Sequence, residues 1–155
     1  MPQATRRKDG TVVCLVRAQE TISQEINPRG EIYYISQHES KDDGKTWEYI
    51  GNPVYGHGGN PPALSVLTDG TWVLTYGYRV RPFGIRCKYS EDEGRTWSEE
   101  IILRDDAYTR DLGYPRSTAL ADGSLFVCYY IGTSLGEEQH IEGTILDKEF
   151  LKTGK

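Results

Sequence analysis

Short apolar runs alternate with turn-forming clusters along the whole chain. They include Val12–Arg17 (VVCLVR), Glu31–Ser36 (EIYYIS), Pro62–Leu67 (PALSVL), Trp72–Arg79 (WVLTYGYR), Gly84–Tyr89 (GIRCKY), Trp97–Leu103 (WSEEIIL), Arg116–Leu120 (RSTAL) and Leu125–Tyr130 (LFVCYY). Their β-branched and aromatic content and their length predict strands, and no helical period competes with that reading. Three of the runs follow an Asp-Gly pair: Asp9-Gly10, Asp69-Gly70 and Asp122-Gly123. Asp-Gly between two apolar runs is a hairpin signal, so adjacent strands pair antiparallel.

A second marker recurs. Ser40-Lys41-Asp42-Asp43-Gly44-Lys45-Thr46-Trp47 and Ser90-Glu91-Asp92-Glu93-Gly94-Arg95-Thr96-Trp97 share the pattern Ser-x-Asp-x-Gly-x-Thr-Trp at a spacing of about fifty residues. A period of this length signals an array of similar units. The two markers divide the chain into units of about 1–50, 51–103 and 104–155; a full unit has four short strands in one order, and the third lacks its outer strand. Within the octet, Asp42 and Asp92 accept hydrogen bonds from nearby backbone N–H groups. Gly44 and Gly94 take a conformation that a Cβ resists. Trp47 and Trp97 open the next strand and cover the turn.

The octet resembles the Asp-box of sialidases and other BNR-repeat proteins. The resemblance covers the whole chain and implies an all-β fold, a β-propeller of four-stranded antiparallel blades. About three blades are expected, half of a six-bladed sialidase-like propeller. In that family the Asp-box lies on the outer rim, away from substrate. The resemblance therefore implies that Ser40, Asp42, Gly44, Trp47, Ser90, Asp92, Gly94 and Trp97 are structural, neither catalytic nor metal ligands. The third unit reaches no octet near position 140, and the first begins inside an opening strand. The expectation is a C-terminal half-propeller, either truncated or an independent half-length product, whose ring a second copy or a missing N-terminal half completes.

Sialidases grip a sugar carboxylate with three arginines, use a tyrosine nucleophile with a glutamate beside it, and supply an aspartate acid/base. Arginine suits the first task because its planar fork makes two charge-assisted bonds to one carboxylate. The tyrosine makes the family an exception to the two-carboxylate glycosidase scheme. By resemblance, Arg17 at the end of its strand is the second arginine. Arg79 or Arg81, in the stretch Tyr78–Arg86, is the third, with Arg86 a helper. Tyr114, opening the third unit in Gly113-Tyr114-Pro115-Arg116-Ser117, takes the nucleophile's place, although Pro115 stands where serine is usual. Asp111 is a hydrogen-bonding neighbour.

The departures matter equally. The glutamate partner should lie about eight residues before Asp9-Gly10, where the chain has Met1. The first arginine and the acid/base belong to blades outside this sequence. An unassisted tyrosine, with a pKa of about 10, is a weak nucleophile at neutral pH. Two functions stay open: a sialidase-like glycoside hydrolase, retaining in mechanism and acting on a terminal acidic sugar without a cofactor, or a non-catalytic module that binds carbohydrate or protein.

A second polar cluster, His57-Gly58-Gly59-Asn60-Pro61-Pro62, opens the second unit. His57 and Asn60 are candidates to hydrogen-bond sugar hydroxyls, against the plainer reading of an inter-blade loop. Tyr33, Tyr34, Tyr76, Tyr129 and Tyr130 lie inside strands and are assigned to the core or to sheet faces.

Composition narrows the choice. With 18 Lys and Arg against 23 Asp and Glu, the net charge is −5. The basic residues are scattered, so neither nucleic acid nor an anionic membrane is an expected partner. The apolar runs are too short to span a bilayer as helices, and localisation is left undetermined. Cys14, Cys87 and Cys128 are an odd count without a close pair, which predicts buried free thiols. His38, His57 and His140 have no metal-ligand spacing, so no metal is expected.

Overall fold

The structure is a computed structural model and describes residues 2–26 and 28–153. Among the described residues eleven strands form three antiparallel sheets in chain order. The first contains β1 (Pro2–Arg6), β2 (Val12–Thr21), β3 (Glu31–Ser40) and β4 (Glu48–Tyr55). The second contains β5 (Ala63–Val66), β6 (Trp72–Tyr78), β7 (Gly84–Ser90) and β8 (Ile101–Arg104). The third contains β9 (Gly113–Ala119), β10 (Leu125–Ile131) and β11 (His140–Leu146), each strand hydrogen-bonded to the next in sequence. These are up-and-down propeller blades, and the chain is a partial β-propeller. The third blade has three strands among the described residues.

The blades stack face to face, and their burial shows the order. In β6 every residue from Trp72 to Gly77 is buried, because the middle blade is covered on both sides. Val73 joins Ile85, Leu125, Val127, Tyr129 and Ile131 in a core shared with the third blade. Leu74 and Tyr76 face the other way, onto Leu15, Ile35 and Val54 of the first. In β10 the alternation is strict, with Leu125, Val127, Tyr129 and Ile131 buried and the residues between them half-buried.

Three local expectations change. The run from Trp97 is a strand only from Ile101. Before it, Ser98 donates its N–H to the Tyr89 carbonyl, and its hydroxyl accepts from the Tyr89 N–H, which holds a loop instead. The last described residues also form a short helix, α1 (Lys148–Thr153), that no period predicted. Asp147 caps it by accepting from the Phe150 N–H at 2.7 Å, and Leu151 is buried in the shared core. Finally, Cys87 alone is a fully buried thiol, pushed up to about 12 by burial, whereas Cys14 and Cys128 are half-buried.

Antiparallel order separates the connections into two ends. The Asp-Gly turns and both octets link β1 to β2, β3 to β4 and their counterparts, so they share one end. The β2–β3, β4–β5, β6–β7, β8–β9 and β10–β11 connections share the other. At the first end the two octets close identically. Ser40 Oγ accepts from the Gly44 N–H at 2.8 Å, and Asp42 accepts from the Thr46 N–H at 2.9 Å and hydroxyl at 2.6 Å. Ser90, Asp92, Gly94 and Thr96 repeat these bonds at 2.7, 2.8 and 2.6 Å. The Thr46 hydroxyl and N–H, with Ser40, hold Asp42 down at about 2. Burial works to raise Asp92, but its bonds to Thr96 and Ser90 prevail and hold it at about 2. The second octet also joins blades: Gln37 donates to the Gly94 carbonyl at 2.8 Å and accepts from Trp97 Nε1 at 3.0 Å. Trp97 is half-buried there, while Trp47 is exposed and bonds back to the Gly44 carbonyl.

Candidate functional site

The opposite end gathers the residues singled out for chemistry. Asn60, in the β4–β5 loop, is the point around which they are arranged. It is fully buried. Its Nδ2 donates to the Leu112 carbonyl at 3.0 Å, and its Oδ1 accepts from the Tyr114 N–H at 2.7 Å. One amide therefore spans from the second blade to the entry of the third. Gly77 and Gly113 flank it so closely that a Cβ on either would lie 2.7 or 2.5 Å from the amide.

That anchor fixes Tyr114 in an unusual conformation. Its φ is 47°, in the left-handed region that side chains other than glycine rarely adopt. Backbone strain of this kind amounts to about 1–3 kcal/mol and persists only where the surroundings impose it. Here the surroundings are Asn60 beneath, the Tyr130 ring stacked at 6.1 Å, and the Arg79 guanidinium 5.5 Å from the Tyr114 ring centre. The Tyr114 ring is left substantially exposed. Among the described residues, no carboxylate hydrogen-bonds its hydroxyl.

Arg79 connects the elements. Its Nη2 donates to the Leu112 carbonyl at 2.8 Å and to the Tyr130 hydroxyl at 3.0 Å, and its backbone N–H donates to the His57 carbonyl. The Tyr130 hydroxyl in turn donates to Asp111 Oδ1 at 2.7 Å, while Gln139 donates to Asp111 Oδ2 at 3.1 Å. Burial and the bond to Asp111 push the Tyr130 phenol up to about 12, against the pull of Arg79. Arg79, Asp111 and Tyr114 are thus brought together as the sequence proposed, with Tyr130 as an unforeseen centre. Tyr130 is half-buried with its hydroxyl in the cluster, whereas Tyr76 and Tyr129 are the core residues expected. The signal available for Tyr130 was its place at the end of β10, level with Tyr114.

The other candidates separate. Arg17 donates to the Gly59 carbonyl at 3.2 Å and remains half-buried at the same end. His57 and Asn60 are both inaccessible, so they support the loop from below rather than present groups to a ligand. His57 Nε2 bonds the Asn60 carbonyl at 2.7 Å, and burial pushes its pKa down, with Arg17 and Arg79 adding to the effect. Arg86 is 2% exposed. It donates to the carbonyls of Ile85, Pro82 and Arg104, pairs with Glu100 at 3.5 Å and lies over the Tyr78 ring. Its guanidinium is occupied in fastening the β6–β7 loop. Arg81 is exposed and stacks on Phe83 at 5.0 Å, with no bond to Tyr114, Tyr130 or Asp111 among those of the described residues. The position expected for the glutamate partner, Met1, lies outside the described residues. Among the described residues no group of three or more His, Cys, Asp or Glu is placed to hold a metal ion.

No protein-family model and no curated protein matches this chain. Solved structures do. A protein of unknown function from Dyadobacter fermentans is 31% identical with a TM-score of 0.76, over 95% of this chain and 37% of that one. A GH93 α-L-arabinofuranosidase of Fusarium graminearum, in complex with arabinobiose, is 18% identical with a TM-score of 0.63, over 97% of this chain and 47% of that one. A Hadza microbial sialidase is 18% identical with a TM-score of 0.51, over 90% and 36%. The likeness supports the propeller fold, and the chain spans less than half the length of each of these three proteins.

Proposed function

We propose that the end of the blades around Arg79 and Tyr114 binds an acidic sugar, and that the chain is the corresponding part of a sialidase-like, Asp-box-bearing glycoside hydrolase. The observation that carries this reading is the cluster Arg79–Tyr114–Tyr130–Asp111. It holds a strained, exposed tyrosine under a guanidinium at the end of the propeller opposite its structural turns. Arg79 and Arg17 supply positive charge for a carboxylate. Tyr114 offers both a ring face and a hydroxyl at the same place.

In the hydrolytic scheme, a base takes the Tyr114 phenolic proton as its oxygen bonds the anomeric carbon. The bond to the leaving oxygen breaks as an acid protonates it, and water then releases the sugar. Among the described residues no carboxylate hydrogen-bonds the Tyr114 hydroxyl, so in this reading the base and the acid come from outside them. The same observation favours a second reading, a glycan-binding module that retains recognition without turnover.

Calorimetric titration with N-acetylneuraminic acid and galacturonic acid tests recognition. The reading predicts binding that Arg79→Met abolishes, with neutral galactose inert. Equal binding of galactose, or no effect of Arg79→Met, overturns it. Release of fluorophore from a sialoside, lost in Tyr114→Phe, separates the hydrolase from the binding module.

A further inference from the structure

The cleft between the first and second blades adjoins the site described above and shares Arg79 with it. It has a volume of about 330 Å³, the lower end of the range for small-molecule sites. Its outer wall exists because β2 and β3 are each 10 residues long, against 7 for β6 and β7. The extra length carries Glu31 and Tyr33 beyond the level of the neighbouring blade, with Arg29 in the connection. The opposite wall is the β6–β7 loop, with Arg79, Val80 and Arg81.

Three arginines and one carboxylate therefore line the cleft, in a chain whose net charge is −5. The one carboxylate is already engaged, since Glu31 accepts from the Tyr33 hydroxyl at 2.7 Å. That bond, and then burial, raise the Tyr33 phenol, while Arg110 and Arg17 oppose them, so further positive charge lies nearby. Tyr33 and the Arg81–Phe83 stack add aromatic surface. Arg79 belongs to both places: it lines the cleft and also lies over Tyr114.

We propose that this cleft is a second subsite, taking a second carboxylated sugar unit linked to the one at Arg79 and Tyr114. The ligand is then an acidic oligosaccharide rather than a single terminal acidic residue. The proposal rests on the sugar-binding reading above and extends it. Charge selects a carboxylate here because three arginines line a space too small for more than a short saccharide.

The experiment compares two pairs of probes on the full chain: N-acetylneuraminic acid with its α2,8-linked dimer, and galacturonic acid with digalacturonic acid. In at least one pair the dimer is expected to bind at least tenfold more tightly than the monomer. Val80 is 43% exposed, so charge can be placed in the cleft without disturbing the core. Val80→Glu should weaken the dimer at least tenfold and change the monomer less than twofold. Val80→Lys, equally intrusive but of opposite charge, should bind the dimer at least tenfold better than Val80→Glu. A dimer no tighter than its monomer, or equal loss of both in Val80→Glu, overturns the second subsite alone. Binding of none of the four sugars overturns the underlying reading together with it.

Discussion

Replacing Asn60 by alanine tests how the site is built. The side chain is fully buried and makes two hydrogen bonds, to the Leu112 carbonyl and from the Tyr114 N–H. Each is worth about 1 kcal/mol net, and the loss of the side chain leaves a small void between Gly77 and Gly113. The Leu112 carbonyl keeps both Arg79 donors, so the Tyr114 N–H is the group left without a partner. The expected destabilisation is about 2–3 kcal/mol. For a chain of this size that corresponds to a drop in Tm of roughly 4–12 °C. Thermal and urea unfolding followed by circular dichroism would measure it, with the exposed Asn52→Ala as a control expected within about 0.5 kcal/mol of the parent. Sugar binding should fall as well, because the Asn60 amide is the group that bonds the Tyr114 N–H at positive φ. An Asn60→Ala protein as stable as the control would refute the claim that this amide ties the third blade to the second.

The octet glycines should differ although their motif is the same. Both have positive φ, so alanine costs about 1 kcal/mol at either. At Gly44 a Cβ meets only Trp47 at 3.6 Å, whereas at Gly94 it meets the buried Trp72 ring at 2.9 Å. Gly94→Ala should therefore lose about 1–3 kcal/mol more than Gly44→Ala in urea titrations. Arg86→Met should destabilise by about 1–3 kcal/mol, since it takes the donor from carbonyls around a buried position, while Glu100 keeps the Tyr76 hydroxyl. Equal stability would show that Arg86 does not fasten its loop.

Stability should also fall at both extremes of pH. Asp69 and Asp92 have folded pKa values of about 2, below their unfolded values, so their contribution is present above about pH 4 and lost as pH falls toward 2. Tyr130, raised to about 12, binds its proton more tightly in the folded state. Its contribution is complete below about pH 10 and lost as pH rises toward 12. Urea midpoints across both windows would check the signs, and Tyr130→Phe should flatten the alkaline limb.

The fold was legible because its signals are local. Asp-Gly turns and the octet hydrogen bonds lie within a few residues of each other, and the strands between them have the right length. The loop at Trp97–Glu100 and the helix at Lys148–Thr153 carry no periodic signal: the two bonds between Ser98 and Tyr89 hold one, and the Asp147 cap and the burial of Leu151 hold the other. The site was half legible. Arg79, Tyr114 and Asp111 stand at positions a motif can indicate. Whether Asn60 or Arg86 faces a ligand or the protein interior depends on partners in other strands, and so does the role of Tyr130. No residue type or spacing encodes that difference.

The most direct test of the central claim is to map an acidic sugar onto the chain by ¹H–¹⁵N NMR, comparing galacturonic acid with neutral galactose. The account predicts amide shifts confined to the residues around 58–60, 79, 111–114 and 130, produced by the acid and not by galactose. Shifts at the octet end, or identical shifts with both sugars, would contradict it.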